Sequence, residues 1–312
     1  NDYFGEIAQM GDTVKIIKEP EISVKAYTRG SQISADDLDD EDFSLTIDKS
    51  NYFAFKIDDI EEAHSHVNFM QMATDRAAYR LRDQYDQEVL GYLSGYKQSS
   101  LHTAAGTVND QVNGTKAVTG AGSDELLASM KLDDSDFNSG TASHALPIIP
   151  RLPGATTFPT TSTSPIQAIA RMSRLLDQQF VDTQGRWLVL DPIFVEMLKD
   201  EDSRLFNADF GGSGIQNGLV LNNLHGFRVY VSNNLPSVGT GPAVGSTTSQ
   251  ASNFGVIVAG HDSAVATAQQ INKTETYRDP DSFADIVRGM HLYGRKILRP
   301  EAITTLRYQT GY

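Results

Sequence analysis

The fold of this chain is decided by residues 43–93, FSLTIDKSNYFAFKIDDIEEAHSHVNFMQMATDRAAYRLRDQYDQEVLGYL. The first part of this stretch alternates apolar and polar residues in two runs, 43–47 and 53–57, which is typical of half-buried β-strands. From about residue 59, apolar or small residues recur every three or four positions, with no proline and no glycine before Gly91. This spacing predicts one helix over about residues 59–96, which would be about 55 Å long at 1.5 Å per residue. The stretch therefore predicts a pair of strands that leads into a long, strut-like helix.

An acidic segment lies upstream of these strands. Residues 21–28 alternate in the same way, and the segment that follows has six acids in the seven positions 36–42. We interpret residues 21–57 as a two-stranded arm with the acids at its tip. A Ca²⁺ loop would alternate its ligands around a glycine hinge, which this run lacks. Two interpretations stay open: a solvated tip, or a segment that docks on a basic surface.

The rest of the chain predicts short helices and strands around a central sheet. Ser164-Pro165 and Asp191-Pro192 each combine an N-cap residue with a proline at the first helical position, and they predict helices to about residues 180 and 198. Asp262 or Ser263 is expected to cap a further helix that ends near Ile271. The fold class is α+β, with one very long helix and one long arm. Strands are predicted at 187–190, 227–231, 256–259 and within 274–307, a short helix at 124–131 and a polar loop at 236–253.

The composition excludes several classes of function. The 312 residues contain no cysteine, which excludes disulfides, thiolate metal sites and a cysteine nucleophile. The net charge of −14 argues against a protein that binds nucleic acid by neutralising its phosphates. No window reaches the roughly 18 uninterrupted apolar residues of a membrane span, so no membrane partner is expected.

No group of residues in the sequence has the spacing of a reactive site. The histidine pair at 64–66 diverges on a helix and has no third ligand nearby. His261, Asp262 and Ser263 are the residue types of a catalytic triad, but triad members normally converge from separate segments. The glycines at 211–214 lack the Lys-Ser/Thr pair of a phosphate-binding loop. We therefore expect no catalytic, cofactor-binding or metal site.

Four segments carry a resemblance to a known family. They are FKIDDIEEA at 55–63, GFRVYVSNNLP at 226–236, GHDSAVA at 260–266 and YGRKILRPEA at 293–302. In this order they resemble the major capsid proteins of tailed bacteriophages, which share the Hong Kong 97-type coat fold. The first is similar to the return strand of the family's extended loop as it enters the spine helix. The second is similar to a strand late in the axial domain, and the last two are similar to closing segments.

The resemblance implies a domain organisation and a function. Residues 1–20 would form an N-terminal arm and 21–57 the extended loop. Residues 58–164 and 272–312 would form a peripheral domain with the spine helix, and 165–271 an axial domain. The implied function is structural and not enzymatic: self-assembly into the icosahedral head that encloses phage DNA. The implied location is the virion, after assembly in the host cytoplasm.

The implied partners are other copies of the chain, in hexamers and pentamers. By the same resemblance a scaffolding protein, a portal and decoration proteins are further partners, and packaged double-stranded DNA is enclosed without specific binding. Two alternatives stay open. One is an encapsulin-type compartment shell, which would differ in its cargo. The other is an α+β enzyme with a site on the loop at 98–163 or 236–253.

The resemblance also suggests where subunits meet. The extended loop would lie over the spine region of a neighbour, so its acids would meet basic side chains there. The apolar residues of the arm, including Leu45 and Ile47, are expected to be buried by other subunits rather than by their own chain. The candidate interface residues are Asp36, Asp37, Asp39, Asp40, Asp42, Phe43, Phe53, Phe55, Arg76, Arg80, Arg295 and Arg299.

Overall fold

The computed structural model describes residues 13–17, 42–47, 49–58, 69–95, 126–137, 145–149, 163–199, 223–239, 253–280 and 282–310. The chain forms two compact units, one within residues 1–81 and 266–296 and the other within residues 82–265 and 297–312. We refer to them as the first unit and the second unit.

The described residues form three α-helices and thirteen strands, and the predicted α+β class is confirmed. The helices are α1 Phe69–Ser94, α2 Pro165–Gln178 and α3 Pro192–Leu198. The strands are β1 Thr13–Ile17, β2 Asp42–Thr46, β3 Lys49–Asp58, β4 Lys131–Leu132, β5 Leu146–Ile148, β6 Arg186–Leu190, β7 Asn223–Leu224, β8 Phe227–Val231, β9 Ser237–Gly239, β10 Asn253–His261, β11 Val265–Arg278, β12 Ala284–Ile297 and β13 Ile303–Thr310.

The second unit is built around an eight-stranded sheet. Its main order is β4-β13-β10-β6-β8-β7, and β5 and β9 pair additionally with β13 and β10. The central strands β6 and β10 contain apolar runs because both of their faces are covered: consecutive residues such as Ile257 and Val258, which point to opposite faces, are fully buried. The three strands predicted between residues 187 and 259 are confirmed as β6, β8 and β10.

Helices α2 and α3 begin where their capping residues predict. Ser164 Oγ accepts a hydrogen bond from the Gln167 N–H at 3.3 Å, and Asp191 Oδ1 accepts one from the Phe194 N–H at 3.1 Å. Each helix has a proline in its first turn, where no backbone donor is needed. Burying one larger apolar side chain contributes about 1.5–3 kcal/mol. The buried face of α2 consists of Pro165, Ala168, Ile169, Met172 and Leu176.

Asp191 is also the partner of a buried tyrosine. Its Oδ2 accepts a hydrogen bond from the Tyr308 hydroxyl, and both residues are almost fully buried. Burial raises the pKa of the Asp191 carboxyl, while the hydrogen bonds from Tyr308 and Phe194 oppose that rise. Burial and the nearby carboxylate also raise the pKa of Tyr308. The pair therefore joins the start of α3 to strand β13.

Helix α2 ends in a left-handed residue that is not glycine. Phe180 has a φ of 55°, and the N–H groups of Phe180 and Val181 donate to the carbonyls of Asp177 and Leu176. This is the Schellman arrangement, in which glycine is usual at the left-handed position. The buried side chain of Arg186 donates to two carbonyls of the same turn. The Phe180 ring is 94% exposed, so it gains little from packing in the described part of the chain.

Replacing Phe180 with glycine is expected to raise the free energy of unfolding by about 1 kcal/mol, because a residue with a Cβ is disfavoured at positive φ. Urea unfolding of the unassembled subunit measures the change. Phe180→Ala is the control, since it removes the same ring but retains the Cβ. Equal stabilisation in both variants would show that the ring, and not the backbone, is the source.

The first unit contains a three-stranded sheet, β11-β12-β3, and the antiparallel pair β1–β2. In the antiparallel register of β3 with β12, Phe53 lies opposite Gly289 and Tyr52 opposite Met290. Successive residues of a strand point to opposite faces of the sheet. Phe53 and Phe55 therefore share one face, which we call the inner face, and Tyr52 lies on the other, which we call the outer face.

The stretch that decides the fold is largely as predicted. Its two alternating runs are confirmed as β2 and β3. The helix that follows is α1, which the structure describes from Phe69 and which ends at Ser94, two residues before the expected end. Its 26 residues span about 39 Å. The predicted helical residues 59–68 and the alternating run at 21–28 lie outside the described part of the chain.

The helix predicted from Asp262 or Ser263 to Ile271 is wrong. A single 3₁₀ turn, Asp262–Ala264, is followed directly by strand β11. The residue that caps this turn is His261, whose Nδ1 accepts the Ser263 N–H at 3.2 Å. Alanine and glutamine in this segment favour a helix by only a few tenths of a kcal/mol per residue. Pairing with β12 outweighs that preference.

Two further local predictions are wrong in part. The polar loop expected at 236–253 has strands at its ends, because β9 pairs with the start of β10; residues 240–252 lie outside the described part. Of the short helix expected at 124–131, the described residues form one 3₁₀ turn, Ala128–Met130.

The expectation that other subunits bury the arm's apolar residues is wrong for Leu45 and Ile47. These residues are 1% and 0% exposed within the single chain. The backbone at Thr46 and Ile47 contacts Gly294 of β12, where an added Cβ would lie 2.6 Å from the Thr46 carbonyl oxygen. The missing side chain at Gly294 therefore lets this segment pack closely on β12.

Candidate subunit interface

The aromatic candidates Phe53 and Phe55 are already half-buried by their own chain. Their rings stack with centroids 6.0 Å apart. The Phe53 ring covers Gly289, where an added Cβ would lie 2.4 Å from Phe53 Cε1, and Val287 opposite Phe55 is buried. The inner face thus has an intramolecular core, which leaves part of each ring for a neighbouring subunit.

The inner face also contains a neutral histidine. His291 stacks on Tyr293 with ring centroids 5.5 Å apart, and Asn51 Nδ2 donates to the Tyr293 hydroxyl at 3.4 Å. Burial lowers the pKa of His291. The imidazole is therefore uncharged at neutral pH and adds no charge to this face.

The basic candidates differ in their exposure. Arg76 and Arg80 are both exposed, one turn apart on α1, so they present two positive charges on one side of the helix. Arg299 Nε lies 3.0 Å from Glu301 Oε1, which neutralises its charge, and Arg295 is half-buried on β12. Arg76 and Arg80 are therefore the exposed members of this set.

The acidic candidates lie at the border of the described residues. Asp42 begins β2, where its backbone is paired with Ile17, and neither its side chain nor that of Phe43 is described. Docking of the acids therefore stays a prediction. Outside the described part of the chain are Asp36, Asp37, Asp39 and Asp40.

Sequence reasoning missed the outer face of the β11-β12-β3 sheet. Tyr52 and Met290 are neighbours on it, and the Arg288 guanidinium lies 5.0 Å from the centroid of the Tyr277 ring. Tyr52 is 80% exposed, Tyr277 42% and Met290 40%, and Phe283 in the turn between β11 and β12 is 80% exposed. Tyr52 occupies a polar position in the alternation of β3. An aromatic residue at a position where the alternation predicts a polar, outward-facing side chain is the signal that could have revealed the outer face.

The charged side chains around the outer face are paired within the chain. Exposed ion pairs of this kind contribute only about 0–1 kcal/mol each, so stability is not their main consequence. Two basic and two acidic groups of this face cancel, in the pairs Arg288–Glu275 at 2.7 Å and Lys56–Asp279 at 2.6 Å. Asp285 lies opposite Ile57, on the inner face, where it pairs with Arg278 at 3.4 Å.

The residues His261, Asp262 and Ser263 form a turn in which His261 contacts Ser263, while Asp262 has a different partner. His261 Nε2 lies 2.8 Å from the Gln184 carbonyl oxygen, which can only accept, so Nε2 carries the proton. Nδ1 is then an acceptor for the Ser263 hydroxyl at 2.8 Å. Asp262 binds Arg228 at 2.6 Å and not the imidazole.

No group of three or more histidine, aspartate or glutamate side chains in the described ranges could hold a metal ion. No helix in those ranges is long and apolar enough to cross a bilayer.

Comparison with known proteins gives one family and a set of similar structures. The model of the family described as phage capsid protein matches residues 40–306. No curated protein matches the sequence. The structure from Mycobacterium phage Che8 is 25% identical, with a TM-score of 0.62 over 95% of this chain and 84% of the other.

Two capsid structures show the same fold at lower identity. The capsid of Ralstonia phage GP4 is 12% identical, with a TM-score of 0.63 over 97% of this chain and 85% of the other. The mature capsid of bacteriophage PhiM1 is 14% identical, with a TM-score of 0.58 over 95% and 82%.

Proposed function

The chain belongs to the phage capsid protein family and is a major capsid protein that forms a phage head, and we propose that its acidic segment joins neighbouring subunits in that shell. The family match over residues 40–306 carries the assignment. It confirms the predicted structural, non-enzymatic role and the location in the virion. It also favours a phage head over an encapsulin-type compartment, and it removes the reason for placing an enzymatic site on the polar loops.

The proposed contact joins the acids of one subunit to α1 of another. In this contact, residues 36–42 of one copy lie against Arg76 and Arg80 of its neighbour. The sequence supports it with six acids in seven positions, and the structure supports it with two exposed arginines one turn apart. Copies with a charge of −14 repel one another, so a local match of opposite charges would favour one register of association.

Changing Asp36, Asp37, Asp39 and Asp40 together to asparagine is expected to raise the subunit concentration for half-maximal assembly about tenfold. A single exposed pair contributes about 0–1 kcal/mol, and the loss of several together corresponds to about 1.4 kcal/mol, or tenfold. Light scattering of the purified chain measures assembly, and urea unfolding checks that the free subunit stays folded. Arg76→Gln with Arg80→Gln should reproduce the effect, whereas Arg174→Gln, an exposed arginine on α2, is the matched control.

Charge reversal and a change of salt concentration test whether the contact is electrostatic. Lysine at all four acidic positions, combined with Arg76→Glu and Arg80→Glu, should restore assembly that either set of changes impairs alone. The Debye length falls from about 10 Å at 0.1 M salt to about 3 Å at 1 M, so the wild-type chain should approach the fourfold variant in high salt. Normal assembly of that variant, with an unchanged salt response, would show that the acids are a solvated tip.

The wider organisation implied by the resemblance is part of the same proposal. Hexamers and pentamers of the chain enclose double-stranded DNA, with scaffolding, portal and decoration proteins as further partners. The acidic net charge supports enclosure without specific DNA binding, because like charges repel. The proposed domains are the arm 1–20, the extended loop 21–57, the peripheral domain 58–164 with 272–312, and the axial domain 165–271. Electron micrographs of the purified chain should show closed icosahedral shells; amorphous aggregates would contradict the proposal.

A further inference from the structure

We propose that the outer face of the β11-β12-β3 sheet is a contact surface for a second copy of this chain within the shell. This inference rests on the shell-forming function and not on the docking of the acidic segment. The contact is made by Tyr52, Met290, Arg288 and Tyr277, with Phe283 in the adjoining turn, none of which is among the interface residues predicted from the sequence.

The first observation is the exposed aromatic surface. Tyr52 and Phe283 are each 80% exposed, and aromatic side chains bury about 150–250 Å² each when they are covered. These two rings therefore offer on the order of 300 Å² of the roughly 800 Å² that one partner contributes to a standard interface. Tyrosine and arginine are also enriched among the residues that dominate binding energy at the centre of an interface.

The second observation is the pairing of charged side chains around these rings. Every copy has a charge of −14, so most pairs of surfaces on two copies repel each other. On the outer face, the pairs Arg288–Glu275 and Lys56–Asp279 cancel two positive and two negative groups. Two copies therefore meet less repulsion at this face than at an unpaired acidic surface.

The third observation is the arrangement of the sheet itself. Its inner face is largely covered by the same chain, with Val287 and Tyr293 buried. Tyr52 lies within the ten residues of β3, which stay in continuous register with β12. Its backbone is therefore fixed before association, and covering its ring costs little additional conformational entropy. A second copy supplies the layer that the outer face lacks among the described residues.

A thiol introduced at Tyr52 tests the contact directly. The chain has no cysteine, so Tyr52→Cys gives a single thiol whose reaction rate with a maleimide reports its exposure. In assembled shells this thiol is expected to react at least about tenfold more slowly than in free subunits, because the centre of an interface excludes water. Val287→Cys, on the inner face of the same sheet, is the matched control. It should react slowly in both states, because its own chain buries that position.

The reaction rates show whether the outer face is covered by its own chain, by a second copy, or by neither. If Tyr52→Cys folds but does not assemble, shells of wild-type chain that include a minor share of the variant give the same measurement. Equal rates in shells and in free subunits would overturn the inference. So would slow reaction in the free subunit, which would show that the chain covers its own outer face. A wild-type chain that forms no shell would instead contradict the shell-forming function, and this inference with it.

Discussion

Replacing Tyr308 with phenylalanine is expected to lower the free energy of unfolding by about 2–3 kcal/mol at neutral pH. The variant keeps the ring, which contacts the Phe194 ring edge-on at 5.2 Å, but it loses the hydroxyl that donates to Asp191. The buried carboxylate is then left with backbone N–H groups as its donors. Removing one donor from a buried charged acceptor costs more than an exposed hydrogen bond contributes, because water cannot replace the donor.

The destabilisation caused by Tyr308→Phe should be smaller at acidic pH than at neutral pH. Burial raises the pKa of Asp191 above its ordinary value of 3.8, so the folded state binds this proton more tightly than the unfolded state does. The stability from this group is complete below the unfolded-state pKa and is lost as the pH rises through the folded-state pKa. Tyr308→Phe removes a hydrogen bond that opposes the rise, which moves the folded-state pKa further up. The free energy of unfolding that Tyr308→Phe removes is therefore greatest at neutral pH.

Urea unfolding of the unassembled subunit at pH 7 and near pH 4 measures both values. Asp191→Asn is the control, because it has no charge to bury but retains an amide oxygen for the Phe194 N–H. Adding Tyr308→Phe to this background should cost only about 1 kcal/mol, with little change between the two pH values. If Tyr308→Phe lowered the free energy of unfolding by the same amount in the Asp191→Asn chain as in the wild-type chain, Tyr308 would act through packing and not through the carboxylate.

Replacing Gly294 with alanine is expected to destabilise the first unit by about 2–3 kcal/mol. The added Cβ would lie 2.6 Å from the Thr46 carbonyl oxygen and 3.2 Å from Ile47 Cα. Both are backbone atoms, so they cannot move away by changing a rotamer. The segment must separate from β12, which exposes Leu45 and Ile47. An exposed apolar segment then promotes aggregation.

Hydrogen exchange measures the separation at the amides of residues 44–47, and light scattering measures aggregation. Gly289→Ala on the same strand is the matched control, because its Cβ would meet the Phe53 ring at 2.4 Å. That ring is half-exposed and can rotate, so the expected cost is about 1 kcal/mol. Equal costs for the two variants, with unchanged exchange at 44–47, would show that the contact at Gly294 does not hold this segment.

Features set by neighbours in sequence were predictable. Asp191-Pro192 predicts the start of α3, because an N-cap acceptor and a residue without an N–H both act within one turn. The alternation of apolar residues predicts β2 and β3 for the same local reason. Local patterns do not specify how such elements are arranged. The coat fold was therefore reached through the resemblance of four separate segments to a family.

Features set by a distant partner were not predictable in the same way. Leu45 is buried because Gly294, about 250 residues later in the sequence, has no side chain to keep the segment away. The outward position of Tyr52 depends on its register with β12. By contrast, the pairing of Arg299 with Glu301 joins residues two positions apart, and the sequence could have suggested it. The docking of Phe43, Phe53 and Phe55 on a neighbour stays a prediction.

The place of β13 in its sheet limits when a newly made chain can join a shell. Residues 303–309 pair with residues 254–260 and so complete the strand order next to β10. During translation, the central strands made earlier stay without this neighbour until residue 309 has left the ribosome. An unfinished chain therefore exposes a long apolar strand edge and needs protection from wrong pairing. Competence to assemble is expected only after synthesis has passed this strand, so the order of strands in the sheet delays shell growth until chains that include β13 are available.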